Sequence, residues 1–323
     1  QMRNFKNCLL TGSTGSGGSY LIEHILKENS KIKIFGLYRS NGYKSILEKY
    51  KRVNLINVDL NNKDKLKKVL KKTNPELIFH FASDPDVQKS FNEPYNIIRN
   101  NNLITLNLLE NIRELKIKPL IIICSTSEVY GNAKKKDVPL SENSKFYPAN
   151  PYAVSKSFQD LLSQVYYKVY GLNIIITRMF TYMNPRRDNL FQSAFAKQII
   201  EIKKGKKKTL KHGNLDSVRT YLDTEDACSA YWHAATKGVI GEIYNISGDK
   251  VISVKKFLEK LIYYANLNFK IKSSINPKLV RKTDVSYQIA DNSKFKKHTK
   301  WRPKVKFDVS LKKILKYYED KIN

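Results

Sequence analysis

Apolar residues in the first 180 positions arrive in two alternating forms. Short unbroken runs, "NCLLTG", "KIKIFGLY", "VNLINVDL", "PELIFHFA", "PLIIICS" and "LNIIITRMF", have the length and β-branched content of buried strands. Between them, "SYLIEHILKEN", "KDKLKKVLKKT" and the stretches over 92–115 and 152–170 carry apolar residues every three or four positions, the period of a helix packed on one face. A basic segment between the second and third runs reads as one more helix. Strand–helix–strand units of this size predict an α/β fold built on a doubly wound parallel sheet. Crossovers are then right-handed, and ligands sit outside the carboxyl ends of the strands.

Beyond Thr181 the pattern loosens, and "NPRRDN", "HGNLDSVRT" and "INPKLVRKTD" read as polar loops between short elements. No Gly/Ser/Pro-rich connector and no internal repeat interrupts the chain. Residues 1–181 are therefore expected to form the first domain, with about 213–247 returning to it. Residues 182–323 are expected to form mainly a smaller C-terminal lobe laid over the sheet.

Composition narrows the class. The 323 residues are 41% hydrophobic, enough for a globular core. No apolar run reaches the length of a membrane helix, and no charged-then-apolar leader opens the sequence. Three widely spaced cysteines, Cys8, Cys124 and Cys228, suit a reducing compartment better than a disulfide framework. These features predict a cytoplasmic protein without a membrane partner. The net charge of +30 first suggests nucleic acid. Its lysines are spread along the whole chain, however, and the densest cluster, "KKGKKK" at 203–208, has no aromatic interleaving. No nucleic-acid partner is expected; a cationic surface that favours small anionic ligands is.

Three groups of residues could do chemistry. In "TGSTGSGGS", Gly12, Gly15 and Gly18, with Thr14 among them, follow the first strand and open a helix. That setting brings a dinucleotide pyrophosphate onto backbone N–H groups at a helix N-terminus, so the sheet is expected to be of the Rossmann type. About twenty residues on, where an acid would hold the ribose of NAD, the chain offers Arg39 and Ser40 in "GLYRSN". An arginine there suits a 2′-phosphate, which favours NADP with NAD possible. Asp59, with Leu60 beside it in "NVDL", is placed to meet the adenine. Tyr152 and Lys156 in "PYAVSK" are four apart, on one helix face. A phenol with an ordinary pKa near ~10 needs such a cation to serve as a base. Thr126, Ser127 and Glu128 in "CSTSEVYG" put two hydroxyls and a carboxylate at the mouth of a buried strand. His80 and His212 have no metal-like spacing, and no metal site is expected.

Taken together, TGxxGxxG, the "NVDL" aspartate, Thr126 at the fifth strand end and YxxxK resemble the extended short-chain dehydrogenase/reductase superfamily over residues 6–320. "CSTSEVYG", "NPRRDN", "HGNLDSVRTYLDTED" and "RKTDVSYQIADNSKFKKHTKWRP" are similar to GDP-mannose 4,6-dehydratases and related nucleotide-sugar dehydratases and reductases. The resemblance implies a nucleotide-sugar 4,6-dehydratase, a lyase acting on a GDP-linked hexose and feeding surface-polysaccharide synthesis. Its NADP would be recycled in each turnover. Thr126 would hold the sugar 4-hydroxyl beside Tyr152, Glu128 would take the C5 proton, and Ser127 stands where glucose-type dehydratases carry an acid. Asn184, Lys197, Arg219 and Arg281 would face the substrate and its diphosphate, and Arg187 the cofactor. A homodimer or tetramer is implied, built on helices that carry Leu103, Leu106, Leu109, Leu161, Val165 and Val169. The chain departs from the pattern at Asp84-Pro85-Asp86, at Phe180-Thr181-Tyr182 and at Lys282, where the relatives have proline. A GDP-4-keto-6-deoxy sugar reductase or an epimerase on the same fold is the first alternative. A non-catalytic NADP-binding module is the second.

Overall fold

The computed structural model describes residues 2–267, 269–281 and 283–322, so Lys282 lies outside the described residues. The first half alternates strand and helix as the pattern requires. It runs β1 (Asn7–Thr11), α1 (Ser16–Glu28), β2 (Lys33–Tyr38), α2 (Lys44–Leu47), β3 (Val53–Asn57), α3 (Lys63–Thr73) and β4 (Leu77–His80). Then come α4 (Val87–Asn92), α5 (Pro94–Leu115), β5 (Leu120–Thr126), α6 (Pro151–Tyr170) and β6 (Asn173–Met179). The second half continues with β7 (Tyr182–Met183), α7 (Phe191–Lys203), β8 (Thr209–His212), β9 (Val218–Asp223), α8 (Thr224–Lys237) and β10 (Ile243–Ile246). It closes with β11 (Lys250–Ser253), α9 (Val254–Tyr264), β12 (Lys272–Ile275), β13 (Tyr287–Gln288), α10 (Ser293–Thr299) and α11 (Phe307–Lys321).

Seven strands form one parallel sheet in the order β3-β2-β1-β4-β5-β6-β10. Successive side chains of a strand point to opposite faces, so a strand buried on both sides must be apolar throughout. Leu10, Phe79, Ile122 and Ile175 accordingly pack with Leu21, Ile22 and Ile25 of α1 and with Ala230 and Ala234 of α8. Their neighbours Leu9, Ile78, Ile121 and Ile174 pack with Leu66 and Leu70 of α3 and Leu108 and Ile112 of α5. The strand order reverses between β1 and β4, and a crevice opens there at the carboxyl ends. A smaller sheet, β11-β9-β13 with β7 beside β9, and the pair β12-β8 lie outside the main sheet. A third apolar cluster from α7, α9 and α11 supports them.

Helix ends follow local chemistry. Asn62 caps α3 through the Lys65 N–H, and Asn150 caps α6 through the Ala153 N–H at 2.8 Å. Gly171 ends α6 at φ +66°, a left-handed conformation that glycine adopts without strain. One boundary shifts and one expectation needs correction. The helical stretch expected over 92–115 is the single 22-residue helix α5, whose start moves to Pro94, a residue that needs no N–H at a first helical position. The basic segment after β2 forms only the single turn α2, since Gly42 at φ +41° folds the chain back against Thr14.

Candidate active site

A cavity of about 810 Å³ lies over the strand ends between the sheet and the smaller lobe. Its floor is the glycine turn. Gly12 has φ +69°, and a Cβ there would stand 2.9 Å from the Ala82 nitrogen. A Cβ on Gly18 would meet the Gly12 carbonyl oxygen at 2.3 Å, so bare backbone is required at both positions. No side chain caps α1, whose first-turn N–H groups are left for a ligand anion. Around this turn the cavity is walled by Thr14, Gly15, Arg39, Ser40, Asp59 and Leu60. Thr14 donates its hydroxyl to the Ser40 carbonyl at 2.7 Å, which ties the turn to the end of β2. Arg39 donates to Asn100 Oδ1 at 3.2 Å and is otherwise open to the cavity edge, with no ion pair among the described residues. A glycine cradle, a free helix N-terminus and a cationic rim together fit a dinucleotide.

At the other end of the cavity stand Thr126, Ser127, Glu128, Tyr152 and Lys156. Thr126 is the last residue of β5, and its Oγ1 accepts from the Glu128 N–H at 3.3 Å. The tight turn Ser127–Tyr130 that follows swings Glu128 back over the strand end. Glu128 is 9% exposed, and its two oxygens accept from Asn150 Nδ2 at 3.3 Å and Gln288 Nε2 at 3.2 Å. The Arg281 guanidinium lies 3.8 Å from the same carboxylate. Burial pushes the Tyr152 phenol well above its ordinary pKa; the Arg187 charge is the largest effect opposing it. Burial also pushes the Lys156 ammonium down, and its Nζ donates to the Cys124 carbonyl at 2.5 Å. The sequence suggested Lys156 as the cation that tunes Tyr152. In the folded chain Lys156 is turned onto β5, and Arg187 carries the leading opposing charge. His80, buried between Thr11 and Thr105 at 2.8 Å each, is pushed down to about 3 by burial and by Lys156. It is a neutral strut beneath the site.

The remaining residues divide. Arg187, Arg219 and Arg281 reach the cavity wall. Arg187 is anchored on the Pro85 carbonyl at 2.7 Å, and burial pushes Arg219 below its ordinary pKa. Asn184 and Lys197 are not among the lining residues. Asn184 is fully buried and uses its side chain on the Arg186 N–H and the Tyr182 hydroxyl. Lys197 lies on α7, one turn past Ala194 at the wall. Sequence reasoning passed over Asn150 and Gln288, the two amides on Glu128. The Asn-Pro pair before a periodic segment was a readable cap signal. Gln288 had none, sitting in a strand of two residues inside a polar loop. It also passed over Arg186, which ion-pairs with Glu23 at 2.7 Å and pins the "NPRRDN" loop to α1.

Known proteins resemble this chain in sequence and fold. The family described as GDP-mannose 4,6 dehydratase matches residues 9–314. A dTDP-D-glucose 4,6-dehydratase of Dictyostelium discoideum is 32% identical over 79% of this chain and 61% of its own. A GDP-6-deoxy-D-mannose reductase of Pseudomonas aeruginosa is 26% identical over 77% of this chain and 82% of its own. The structure of a UDP-glucuronic acid 4-epimerase from Bacillus cereus, in complex with UDP-glucuronic acid and NAD, superposes with a TM-score of 0.83. It is 27% identical and covers 97% of this chain and 99% of that one. With a family match over nearly its whole length and a seven-stranded parallel sheet to carry it, the chain belongs to the extended short-chain dehydrogenase/reductases, among their nucleotide-sugar dehydratases, reductases and epimerases.

Proposed function

We propose that the protein is an NADP-dependent nucleotide-sugar 4,6-dehydratase acting on a GDP-linked hexose. One observation carries the reading. Glu128 sits at the end of β5 in the same cavity as Tyr152, its carboxylate held as an acceptor by two neutral amides. A simple oxidoreductase needs Tyr152, Lys156 and Thr126 but has no use for a second, buried base. The match over residues 9–314 supports the choice of a GDP sugar.

Each group then has a task. A nicotinamide dinucleotide held by the glycine turn, Thr14, Arg39 and Asp59 would supply the hydride acceptor for C4 of the sugar and the same hydride for C6. Tyr152 takes the 4-hydroxyl proton, while the Thr126 hydroxyl holds that oxygen in place. The new C4 ketone acidifies the C5 hydrogen. Glu128 removes it as a proton and passes that proton to the departing C6 hydroxyl, which leaves as water, while C5 regains a proton from solvent as C6 is reduced. Arg219 and Arg281 enter the cavity from the smaller lobe, where they can meet a nucleotide diphosphate, so the lobe over 182–323 serves the substrate. The direct test is a panel of GDP-, dTDP-, UDP- and CDP-sugars, with products weighed for the loss of one water. Clean reduction or C4 inversion without water loss would move the reductase or epimerase ahead.

The cofactor preference rests on Arg39. Arg39→Ala should weaken NADPH binding about tenfold to a hundredfold by fluorescence titration, as one charge-assisted contact to a phosphate is worth roughly 1.5–3 kcal/mol. NADH binding should hardly change; an equal loss for both would remove the case for NADP.

A homodimer at least is the proposed assembly. Along α6, Leu161, Val165 and Val169 are 53%, 48% and 65% exposed, with Val154 and Phe158 continuing the same stripe. Such a stripe is unusual on a solvated helix. Leu109 plays no part in it, being fully buried against the sheet, and Leu103 and Leu106 are only partly exposed. Light scattering should give at least twice the chain mass, and Leu161→Asp with Val165→Asp should reduce it to the monomer. A native monomer at micromolar concentration would refute the assembly.

A further inference from the structure

Two charged groups of the proposed reaction, Glu128 and Arg219, face the same buried amide. Gln288 Nε2 donates to Glu128 Oε1 at 3.2 Å, and Gln288 Oε1 accepts from Arg219 Nη1. Gln288 is 2% exposed and Arg219 8%, so neither contact is diluted by solvent. The amide can point only one way. A guanidinium only donates and a carboxylate only accepts, so the carbonyl must face Arg219 and the NH₂ must face Glu128. Glu128 is also the largest favourable charge acting on Arg219. Without a spacer the two would be drawn into a direct pair. Arg219 Nε, meanwhile, is buried at the cavity with no hydrogen-bond partner among the described residues, which marks it as awaiting an acceptor from a ligand.

We propose that Gln288 is a positioning residue that keeps Glu128 and Arg219 apart, leaving Arg219 free for the substrate's diphosphate and Glu128 free to act as a base. A direct ion pair would disable both functions at once. The guanidinium would be taken from the diphosphate, and the adjacent cation would make the carboxylate a weaker base. The neutral amide satisfies each partner with one hydrogen bond and cancels neither charge. Arg281, 3.8 Å from Glu128 and partly exposed, is a longer and better-solvated contact and does not replace it. Tyr152 also feels the Glu128 charge.

This inference rests on reading Glu128 as the C5 base, and its test separates the two. Two variants of similar size, Gln288→Leu and Gln288→Glu, are compared with the native protein for GDP affinity and for the pH profile of turnover. In Gln288→Leu, Arg219 and Glu128 collapse together. GDP binding should weaken about tenfold, turnover should fall on the order of 10- to 100-fold, and the acid limb should move to lower pH. In Gln288→Glu a second carboxylate stands against Glu128, so its proton is held to higher pH and the limb should move up. Opposite displacements are the signature, because a packing defect would move neither limb in a directed way. NADPH affinity, set at the far end of the cavity, should stay unchanged and reports an intact fold. Gln288→Met takes the place of Gln288→Leu should the latter not fold. Displacements in the same direction, or an unchanged GDP affinity in the leucine or methionine variant, overturn the proposal. If the native protein dehydrates no nucleotide sugar, the base assignment falls, while GDP affinity still decides whether Gln288 keeps Arg219 free.

Discussion

Glu128→Gln is expected to leave the protein loaded with reduced cofactor and almost devoid of product. The amide keeps the shape of the carboxylate but cannot accept the C5 proton. Oxidation at C4 requires only Tyr152, Lys156 and Thr126, so the first half of the reaction should still run. Given its substrate, the variant should show dihydronicotinamide absorbance that rises and then persists. Loss of a general base costs about 10²–10⁴ in rate, so the 4-keto-6-deoxy product should fall by that factor. One complication follows from the geometry. Glutamine at 128 would turn an NH₂ toward Asn150 or Gln288, both of which donate here, so local repacking is expected. Glu128→Asp is a useful companion, since it keeps the charge but shortens the reach. Native turnover in Glu128→Gln would make the carboxylate structural and favour the reductase or epimerase.

Tyr152→Phe should fail one step earlier, with no reduction of the cofactor and a loss of about 10²–10⁴ in the first half-reaction. The sign of the pH dependence can be worked out. Burial raises the pKa of the phenol, so at neutral pH the proton stays on and the basic form is scarce. The fraction able to accept the 4-hydroxyl proton grows as pH rises, and cofactor reduction in the native protein should therefore accelerate on the alkaline side. Arg187 opposes the effect of burial, so Arg187→Leu should push that rise to still higher pH. Single-turnover absorbance across pH reads both. A flat profile that Tyr152→Phe leaves unaltered would remove the tyrosine from the proton path.

These two side chains were legible in the sequence for different reasons. Tyr152 and Lys156 lie one turn apart on a helix whose start is marked by Asn150-Pro151, so their common face follows from helical geometry alone. Glu128 follows β5 so closely that the strand end places it. The glycines announced their turn because only bare backbone fits against Gly12 and Ala82. The helix over 63–73 could be bounded as read, since Asn62 caps it and Leu66 and Leu70 bury one face. What the pattern could not carry was contact between distant segments. The partner of Glu128 lies 160 residues away, on a strand too short to show a period. Leu109 looked available for an interface, yet it lines the core, because α5 packs on both the sheet and α6. Arg187, the largest charge opposing burial at Tyr152, was invisible for the same reason. Spacing along one helix is visible in a sequence, whereas a loop folded in from the next domain is not.

Asn150 joins two structures that are usually adjustable one at a time. Its oxygen accepts from the Ala153 N–H and starts α6, while its nitrogen donates to Glu128. The opening turn of the helix and the aim of the carboxylate therefore loosen together. Were that turn to loosen on warming before the sheet beneath it, the base would lose its aim with it, and activity would fade at a temperature where the protein is still folded. Adaptation of this enzyme to heat would then begin at a helix cap, with the core left as it is.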